Sequence, residues 1–232
     1  MLKLLPILMA LGYGLIMWQF SAWRTRRELD ERSTPLADPA LLAVTGRLAG
    51  ALGLPRVPVH IYETDVVNGL AAPDGRIFLT RGFYAKFREG AVTADEMASV
   101  IAHELGHVAL GHSRRRMIDF SGQNAIRVVL ATVLGRFLPG IGPYVAGFLT
   151  SLLAARLSRQ DEFEADEWAS ALLIKAGIGT GPQKSLFAKL AGLTALKGKA
   201  PPAWLMSHPK TEARVRAIEV NETKWRARSE PT

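Results

Sequence analysis

The sequence contains no cysteine, which excludes disulfide bonds and every metal site built on thiolates. A metal ion bound by this chain must therefore be held by histidine, aspartate or glutamate side chains. Internal repeats are missing as well, so a repeat architecture is not expected. The 232 residues suffice for one sizeable domain, or for one domain and a membrane anchor.

Acidic residues are outnumbered, with 21 Asp and Glu against 29 Lys and Arg, which gives a formal net charge of +8. A basic chain can bind nucleic acid, but these basic residues are dispersed and are not interleaved with aromatic residues. No nucleic-acid-binding fold signature accompanies them. The basic residues form short, separate groups along the chain, and an anionic membrane surface can attract such groups. We therefore expect membrane lipid and not nucleic acid as a partner.

Charged residues are also missing from residues 4–23, next to the amino terminus. About 20 apolar residues suffice for a membrane-spanning helix, and Trp18 and Trp23 lie at its far end, where indole rings favour the membrane interface. A cleaved signal peptide would have a shorter apolar run followed by an A-x-A site. The sequence therefore predicts an uncleaved transmembrane anchor over residues 1–23.

The charges on the two sides of this anchor predict its direction. Lys3 and the terminal amine precede it, whereas Arg24, Arg26 and Arg27 follow it. The positive-inside rule then places the remainder of the chain in the cytoplasm. The opposite orientation is the alternative.

After the anchor we predict a linker over residues 24–37 and one domain over residues 38–228. Within that domain, residues 124–157 form a second apolar stretch, which glycine and proline residues interrupt between positions 139 and 143. Because these residues would break a single clean span, we favour a buried or membrane-skimming helical hairpin over a second transmembrane helix.

Two helix starts can be recognised in the domain. Asp38 and Pro39 have the N-cap and first-turn positions of a helix whose apolar pattern stops at Gly53. Thr93 and Glu96 have the spacing of a capping box just before the run MASVIAHELGHVAL. Both signals predict helices, and the second predicts that this run is helical throughout.

Two strand-like runs, VPVHIYE and RIFLTR, lie between those helices. The turn-forming pair Asp74-Gly75 separates them. We therefore predict an α+β fold, mainly helical, with a small antiparallel edge hairpin or sheet.

The motif HELGH, at residues 103–107, lies on the second helix. Four helical residues advance about 6 Å and about 400°, so His103 and His107 leave the same face one turn apart. Two imidazoles in this arrangement can bind one Zn²⁺. Glu104 lies about 100° round the helix, near enough to take a proton from a water at the metal without being a ligand.

A catalytic zinc site needs a third protein ligand. His112 follows His107 by five residues, about 140° round the helix, so we interpret it as a helix-end or surface histidine. We interpret His60, in a strand-like run, as structural. The third ligand must therefore come from elsewhere in the chain.

The acidic segment SRQDEFEADEWAS offers that ligand. Glu162 and Asp166 are four residues apart and share one face of a helix. One carboxylate can bind the metal while the other accepts a hydrogen bond from a liganding imidazole. The neighbouring Asp161 and Glu164 fit this spacing less well.

Four stretches together resemble the zinc peptidase family of the heat-shock protease HtpX and the CAAX prenyl endopeptidases, within the gluzincins. In chain order they are NGLAAPDGRIFLTRGF, VIAHELGHVALGH, SRQDEFEAD and SHPKTEARV, and they extend over residues 68–215. The second and third stretches are specific to the family. The first and last stretches support the resemblance because they occur in the same order as in the family.

The resemblance implies one zinc per chain, with His103, His107 and Glu162 as ligands. It also implies that Glu104 is the general base and that Asp166 lies behind the ligands. The implied activity is membrane-associated endopeptidase cleavage of membrane or misfolded proteins, at a bacterial-type inner membrane. The alternative is a non-proteolytic, chaperone-like or assembly factor that keeps zinc for structure.

Three further positions match the family pattern. Asn68 matches an asparagine at the start of the edge strand that receives the substrate backbone, although Gly69 stands where the family usually has alanine. His208 matches a loop histidine at the metal cleft, which could stabilise the oxyanion or gate the zinc. Arg214 matches an arginine that braces the site. Read from the residues alone, the Asn-Gly pair is a turn and His208 is a loop residue before a helix.

Overall fold

The computed structural model describes residues 19–20, 23–72, 74–112, 131, 134–137, 140–195, 203–208 and 212–229. The helices are α1 (Pro39–Leu52), α2 (Arg81–Arg88), α3 (Ala94–Ala109), α4 (Gly142–Lys175), α5 (Gly181–Ala195), α6 (Ala203–Ser207) and α7 (Glu212–Ser229). The strands are β1 (Ser33–Pro35), β2 (Val59–Tyr62), β3 (Gly69–Ala71) and β4 (Ile77–Thr80). Residues 23–31 are helical as well. This mainly helical chain with one small sheet agrees with the predicted α+β class.

The sheet is mixed, with the strand order β1-β2-β4-β3. β1 pairs antiparallel with β2, β2 pairs parallel with β4, and β3 pairs antiparallel with β4. The sheet is therefore not purely antiparallel as predicted, because the runs VPVHIYE and RIFLTR form the parallel pair β2–β4. The turn at Asp74-Gly75 does make a hairpin, but it joins β4 to β3.

Two strands were not recognised from their residue pattern, although the family resemblance implied that an edge strand starts at Asn68, immediately before β3. β1 lies within the predicted linker, where Leu36 N–H also donates to Val59 O at 3.0 Å. β3 is three residues long and begins with glycine, a residue that is depleted in strands. β1 has one β-branched residue, Thr34, and β3 has neither a β-branched nor an aromatic residue, so both strands depend on pairing with β2 and β4.

Both predicted helix starts are confirmed. Asp38 caps α1 by accepting hydrogen bonds from Ala40 N–H and Leu41 N–H. At α3, Thr93 Oγ1 accepts from Glu96 N–H at 3.2 Å, and Glu96 Oε2 accepts from Thr93 N–H at 2.8 Å. This capping box fixes the first turn of the helix that carries HELGH.

Helix α3 lies at the centre of the domain, and its residues from Glu96 to His107 are all buried. It packs against α1, α4, α5 and β3. Gly106 permits the close approach of α4, because a Cβ at this position would lie 3.0 Å from Ala165 O and 3.2 Å from Ala165 Cα. The absence of a side chain at residue 106 thus brings the histidine pair next to the acidic segment.

We expect Gly106→Val to force α3 and α4 apart. Overpacking of a well-packed interior costs about 1–3 kcal/mol of unfolding free energy, and thermal melting would measure this loss. Gly46→Ala in α1 is the matched control, because nothing lies within 4 Å of a Cβ there and alanine favours a helix over glycine. Equal melting temperatures for the two variants would show that the helix crossing tolerates a side chain.

The membrane-related predictions fall partly outside the described residues. Residues 1–18 of the predicted anchor and most of residues 113–139 lie outside them. Among the helices of the described ranges, none combines the length and hydropathy that a membrane crossing requires. Residues 142–157 of the predicted apolar hairpin form the first part of α4, which continues without interruption through the acidic segment to Lys175.

Candidate metal centre

Three parts of the chain meet at one buried cluster. Helix α3 contributes His103 and His107, α4 contributes Glu162, and His208 follows directly after α6. Each is at least nine-tenths buried, and their candidate ligand atoms all lie within 4.8 Å of one another. Residues far apart in the sequence are therefore assembled at the crossing of α3 and α4.

The spacing of these donors fits a tetrahedral zinc ion. His103 Nε2 lies 3.1 Å from His107 Nε2 and 3.3 Å from Glu162 Oε2, and His107 Nε2 lies 3.4 Å from Glu162 Oε1. Ligand atoms about 2.0–2.1 Å from a tetrahedral zinc are themselves about 3.3–3.4 Å apart. His208 Nδ1 approaches the same point, at 3.2 Å from His103 Nε2 and 2.8 Å from Glu162 Oε2.

Glu104 lies beside this cluster and is 2% exposed. Its Oε1 atom lies 3.4 Å from His208 Nε2 and accepts a hydrogen bond from Trp204 Nε1–H at 3.4 Å. Trp204 N–H in turn donates to Val67 O at 3.0 Å, just before β3. A carboxylate is thus held next to the donors without being one of them.

Asp166 and Arg214 lie behind the donors. Asp166 Oδ1 is 3.0 Å from His103 Nδ1, and Arg214 donates to both oxygens of Asp166, from Nε at 2.6 Å and from Nη2 at 2.9 Å. Arg214 Nη1 also lies 3.1 Å from Glu162 Oε2. One guanidinium therefore fixes two carboxylates relative to each other.

The electrostatics of the cluster favour a cation. Burial disfavours ionisation of Glu162, but hydrogen bonds from the surrounding imidazoles outweigh it and hold the pKa of this carboxyl far below its usual range. Burial of Asp166 is similarly outweighed by His103 and Arg214, which lower its pKa. Although burial opposes it, hydrogen bonding to carboxylates raises the pKa of His103 to about 9, whereas burial lowers the pKa of His107 to about 4. Without metal, two ionised carboxylates thus lie beside a protonated His103 and a neutral His107, and a bound zinc ion would replace the proton on His103 Nε2.

Comparison with known proteins agrees with this geometry. Residues 35–222 match the sequence model of Peptidase family M48. The chain belongs to this family. The predicted resemblance to the HtpX-like zinc metallopeptidases is thereby confirmed, and zinc is the cofactor that the donor set and the family share.

Several proteins are similar to this M48 chain. It is 33% identical to metalloprotease LoiP of Escherichia coli over 175 residues, which cover 72% of this chain and 66% of LoiP. It is 28% identical to a protease HtpX homolog of Bordetella avium over 215 residues, 77% of this chain and 69% of the homolog. It is 27% identical to mitochondrial metalloendopeptidase OMA1 of Danio rerio over 69% of this chain and 34% of OMA1. The chain thus matches just under two thirds of LoiP and about one third of OMA1.

Asn68, the predicted substrate-binding residue, is the sequence neighbour of Gly69, which lies against helix α3. Asn68 immediately precedes β3, and its Oδ1 accepts a hydrogen bond from Gly69 N–H at 3.0 Å. A Cβ at residue 69 would lie 2.9 Å from Val100 Cγ1 and 3.8 Å from Glu104 Oε1. The glycine that departs from the usual family alanine therefore lies directly against the helix that carries Glu104.

Two residues near the M48 centre were not recognised from the sequence. Trp204 stands in no motif, and no signal in the sequence identifies it. His112 was interpreted as a helix-end or surface histidine; it does follow the helix, but it is completely buried, with Nδ1 2.9 Å from His107 Nδ1. The angle of 140° between His107 and His112 holds only for a continuous helix. Helix α3 ends at Ala109, and the chain then reverses direction at Gly111, whose φ is 68°. His60 lies in β2 and stacks on Phe78, away from the cluster.

Proposed function

We propose that this chain is a membrane-attached, zinc-dependent metalloendopeptidase that hydrolyses peptide bonds in membrane or misfolded proteins. The observation that carries the proposal is the buried carboxylate of Glu104 beside donors with tetrahedral spacing. A zinc site that serves structure alone closes four positions with protein ligands and does not need such a base. Membership of Peptidase family M48 supports the same conclusion.

In this proposal His103, His107 and Glu162 hold the zinc, because their donor atoms have the spacing that one ion requires. When bound, zinc polarises the scissile carbonyl and acidifies a water molecule. Asp166 accepts from His103 Nδ1–H, which leaves His103 Nε2 unprotonated and directed at the zinc.

The remaining side chains move protons and stabilise charge. Glu104 takes the proton of the attacking water and then delivers a proton to the leaving amine. His208 Nε2, 3.4 Å from Glu104 Oε1, is placed to donate to the oxyanion that develops on the substrate. Arg214 holds Glu162 and Asp166 in position through its three hydrogen-bonding nitrogens.

Substrate binding is proposed at β3. This strand is the last in the order β1-β2-β4-β3, so an extended peptide can add to its outer edge by main-chain hydrogen bonds. Asn68, at the start of β3, would then lie next to the peptide backbone. Because Gly69 lies against the helix that bears Glu104, a peptide on this edge would pass the proposed base.

We expect the full chain, purified in detergent without chelators, to contain about one zinc per chain. His107→Ala should lose this zinc, because it removes one of two imidazole ligands, whereas His60→Ala in β2 should retain it. Elemental analysis of the three proteins measures the ratio. A parent chain without zinc, or His107→Ala with full zinc, would contradict the proposed centre.

One observation favours a non-proteolytic zinc protein as the second candidate. His208 Nδ1 brings the number of clustered donors to four, which is the ligand number of structural zinc sites. Such a protein would keep its zinc and its cellular role when Glu104 is replaced. The two candidates therefore differ in the effect of a substitution at Glu104 on peptide-bond cleavage.

Membrane attachment is proposed to reside in residues 1–23, with the domain in the cytoplasm. The full chain should stay in the membrane fraction through an alkaline carbonate wash, and removal of residues 1–30 should release it. A truncated chain that stays in the membrane would place the attachment in residues 124–157 instead. A reporter that is active only in the periplasm, fused after Thr232, should be silent, because the arginines after the anchor favour the cytoplasmic side.

A further inference from the structure

His112 contacts a proposed zinc ligand from the side opposite the zinc. Its Nδ1 atom lies 2.9 Å from Nδ1 of His107, and its side chain is completely buried. Its other nitrogen, Nε2, lies 3.1 Å from Glu164 Oε2 and 3.7 Å from Asp161 Oδ1, both on α4. His112 thus stands between His107 on α3 and two carboxylates on α4.

The protons of this chain of contacts can be placed without ambiguity once His107 is a ligand. His107 Nε2 faces His103 and Glu162 and must be unprotonated to bind zinc, so the proton of the neutral ring is on Nδ1. His107 Nδ1–H then donates to His112 Nδ1, because two unprotonated or two protonated nitrogens could not share a hydrogen bond. Since His112 Nδ1 is then the acceptor, the ring proton of His112 is on Nε2.

The carboxylates of α4 complete this arrangement. His112 Nε2–H points at an acceptor, Glu164 Oε2, with Asp161 Oδ1 close behind. Glu164 is itself held by Gln160 Nε2–H at 3.0 Å. Each group therefore has the protonation that its neighbour requires, from a carboxylate on α4 to the metal-facing nitrogen of His107.

The two histidines of HELGH are then supported in different ways. His103 donates from Nδ1 directly to a carboxylate, Asp166. His107 reaches its carboxylate, Glu164, only through the ring of His112. Outer hydrogen-bond partners of this kind fix the tautomer and orientation of a liganding imidazole.

We propose that His112 is a positioning residue for the zinc site: its Nδ1 accepts a hydrogen bond from His107 Nδ1–H, and its Nε2–H donates to Glu164. This inference rests on the proposed function, since it takes His107 as a ligand. It assigns to His112 a task that Asp166 has for the other imidazole. The turn at Gly111 contributes to this arrangement, because the chain reverses there and His112 can contact His107 on α3.

The first test measures zinc affinity by competition with a chelator, on the full chain in detergent. His112→Phe keeps a ring but removes the acceptor, and we expect zinc affinity to fall about 10- to 100-fold, as for other changes behind metal ligands. His112→Asn places an amide oxygen near the position of Nδ1 and should recover part of the affinity. His60→Phe is the matched control and should bind zinc like the parent.

The second test needs no substitution and uses the zinc-loaded parent labelled with ¹⁵N-histidine. A scalar coupling between Nδ1 of His107 and Nδ1 of His112, across the shared proton, is the expected signal. A proton on His112 Nδ1, or unchanged zinc affinity in His112→Phe, would overturn the relay. A second zinc per chain that disappears in Glu164→Ala would also overturn it, because His112 Nε2 would then be a ligand.

These outcomes separate the relay from the proposed function. If the parent binds no zinc, both fail together. If the parent binds zinc and His107→Ala loses it, while His112→Phe retains full affinity, the metal centre stands and only the relay fails.

Discussion

Replacement of Glu104 by glutamine is expected to abolish most peptide-bond cleavage while leaving the zinc in place. Glutamine has the shape of glutamate but cannot take a proton from the attacking water, and general-base catalysis contributes about 10²- to 10⁴-fold in rate. Glu104 does not belong to the four clustered donors, so its loss should not release zinc. Cleavage of an unfolded protein such as casein, with elemental analysis of the same samples, measures both quantities.

Glu219→Gln provides the control, because it makes the same chemical change at an exposed position of α7. It should cleave casein at the parental rate. If the parent cleaves casein and Glu104→Gln cleaves it equally fast, Glu104 is not the general base. If the parent itself cleaves casein no faster than background, the non-proteolytic zinc protein is favoured. Loss of zinc from Glu104→Gln would instead show that this carboxylate is a ligand.

The elements that local chemistry determines were predictable from the sequence. The capping box of Thr93 and Glu96 depends on residues three apart, and the shared face of His103 and His107 depends on helix geometry alone. The same reasoning selected Glu162 and Asp166 from the five acids of that segment, and both lie against the imidazoles. Periodicity suffices where the contacts lie within one helix.

The parts that depend on contacts between distant segments were not predictable in this way. The pairing of β2 with β4 is parallel because β3 uses the Asp74-Gly75 turn, and nothing in the two longer runs indicates that choice. The burial of His112 depends on where α3 ends and on the position of α4. Trp204 reaches Glu104 from α6, a distant part of the chain, and its N–H donates to Val67 O before β3.

The charge arrangement explains why the donors remain close together. Glu162 and Asp166 project from successive turns of α4 into the same buried region, where two carboxylates would repel each other. Arg214, from α7, is 2% exposed and lies between them, with its guanidinium over the ring of Phe187 at 4.9 Å. The shape of the centre therefore depends on a charge that touches no reacting atom.

Replacement of Arg214 by methionine is expected to destabilise the zinc-free domain strongly. The substitution keeps much of the side-chain volume but leaves the buried carboxylates of Asp166 and Glu162 without the guanidinium that hydrogen-bonds to both. Removal of one partner from a buried ion pair costs about 3–5 kcal/mol of unfolding free energy. At about 2–4 °C per kcal/mol for a domain of this size, the melting temperature should fall by about 6–20 °C.

Two further variants identify the cause of that loss. Arg216→Met, on the same helix, removes an arginine whose side chain is 69% exposed and pairs with exposed Glu212, so it should change stability by less than about 0.5 kcal/mol. Arg214→Lys keeps the charge but cannot reproduce the two-pronged contact with Asp166, and it should melt between the parent and Arg214→Met. Equal melting of Arg214→Met and Arg216→Met would mean that zinc-free Glu162 and Asp166 are not both ionised. A loss in Arg214→Lys as large as in Arg214→Met would assign the stability to hydrogen-bond geometry and not to charge.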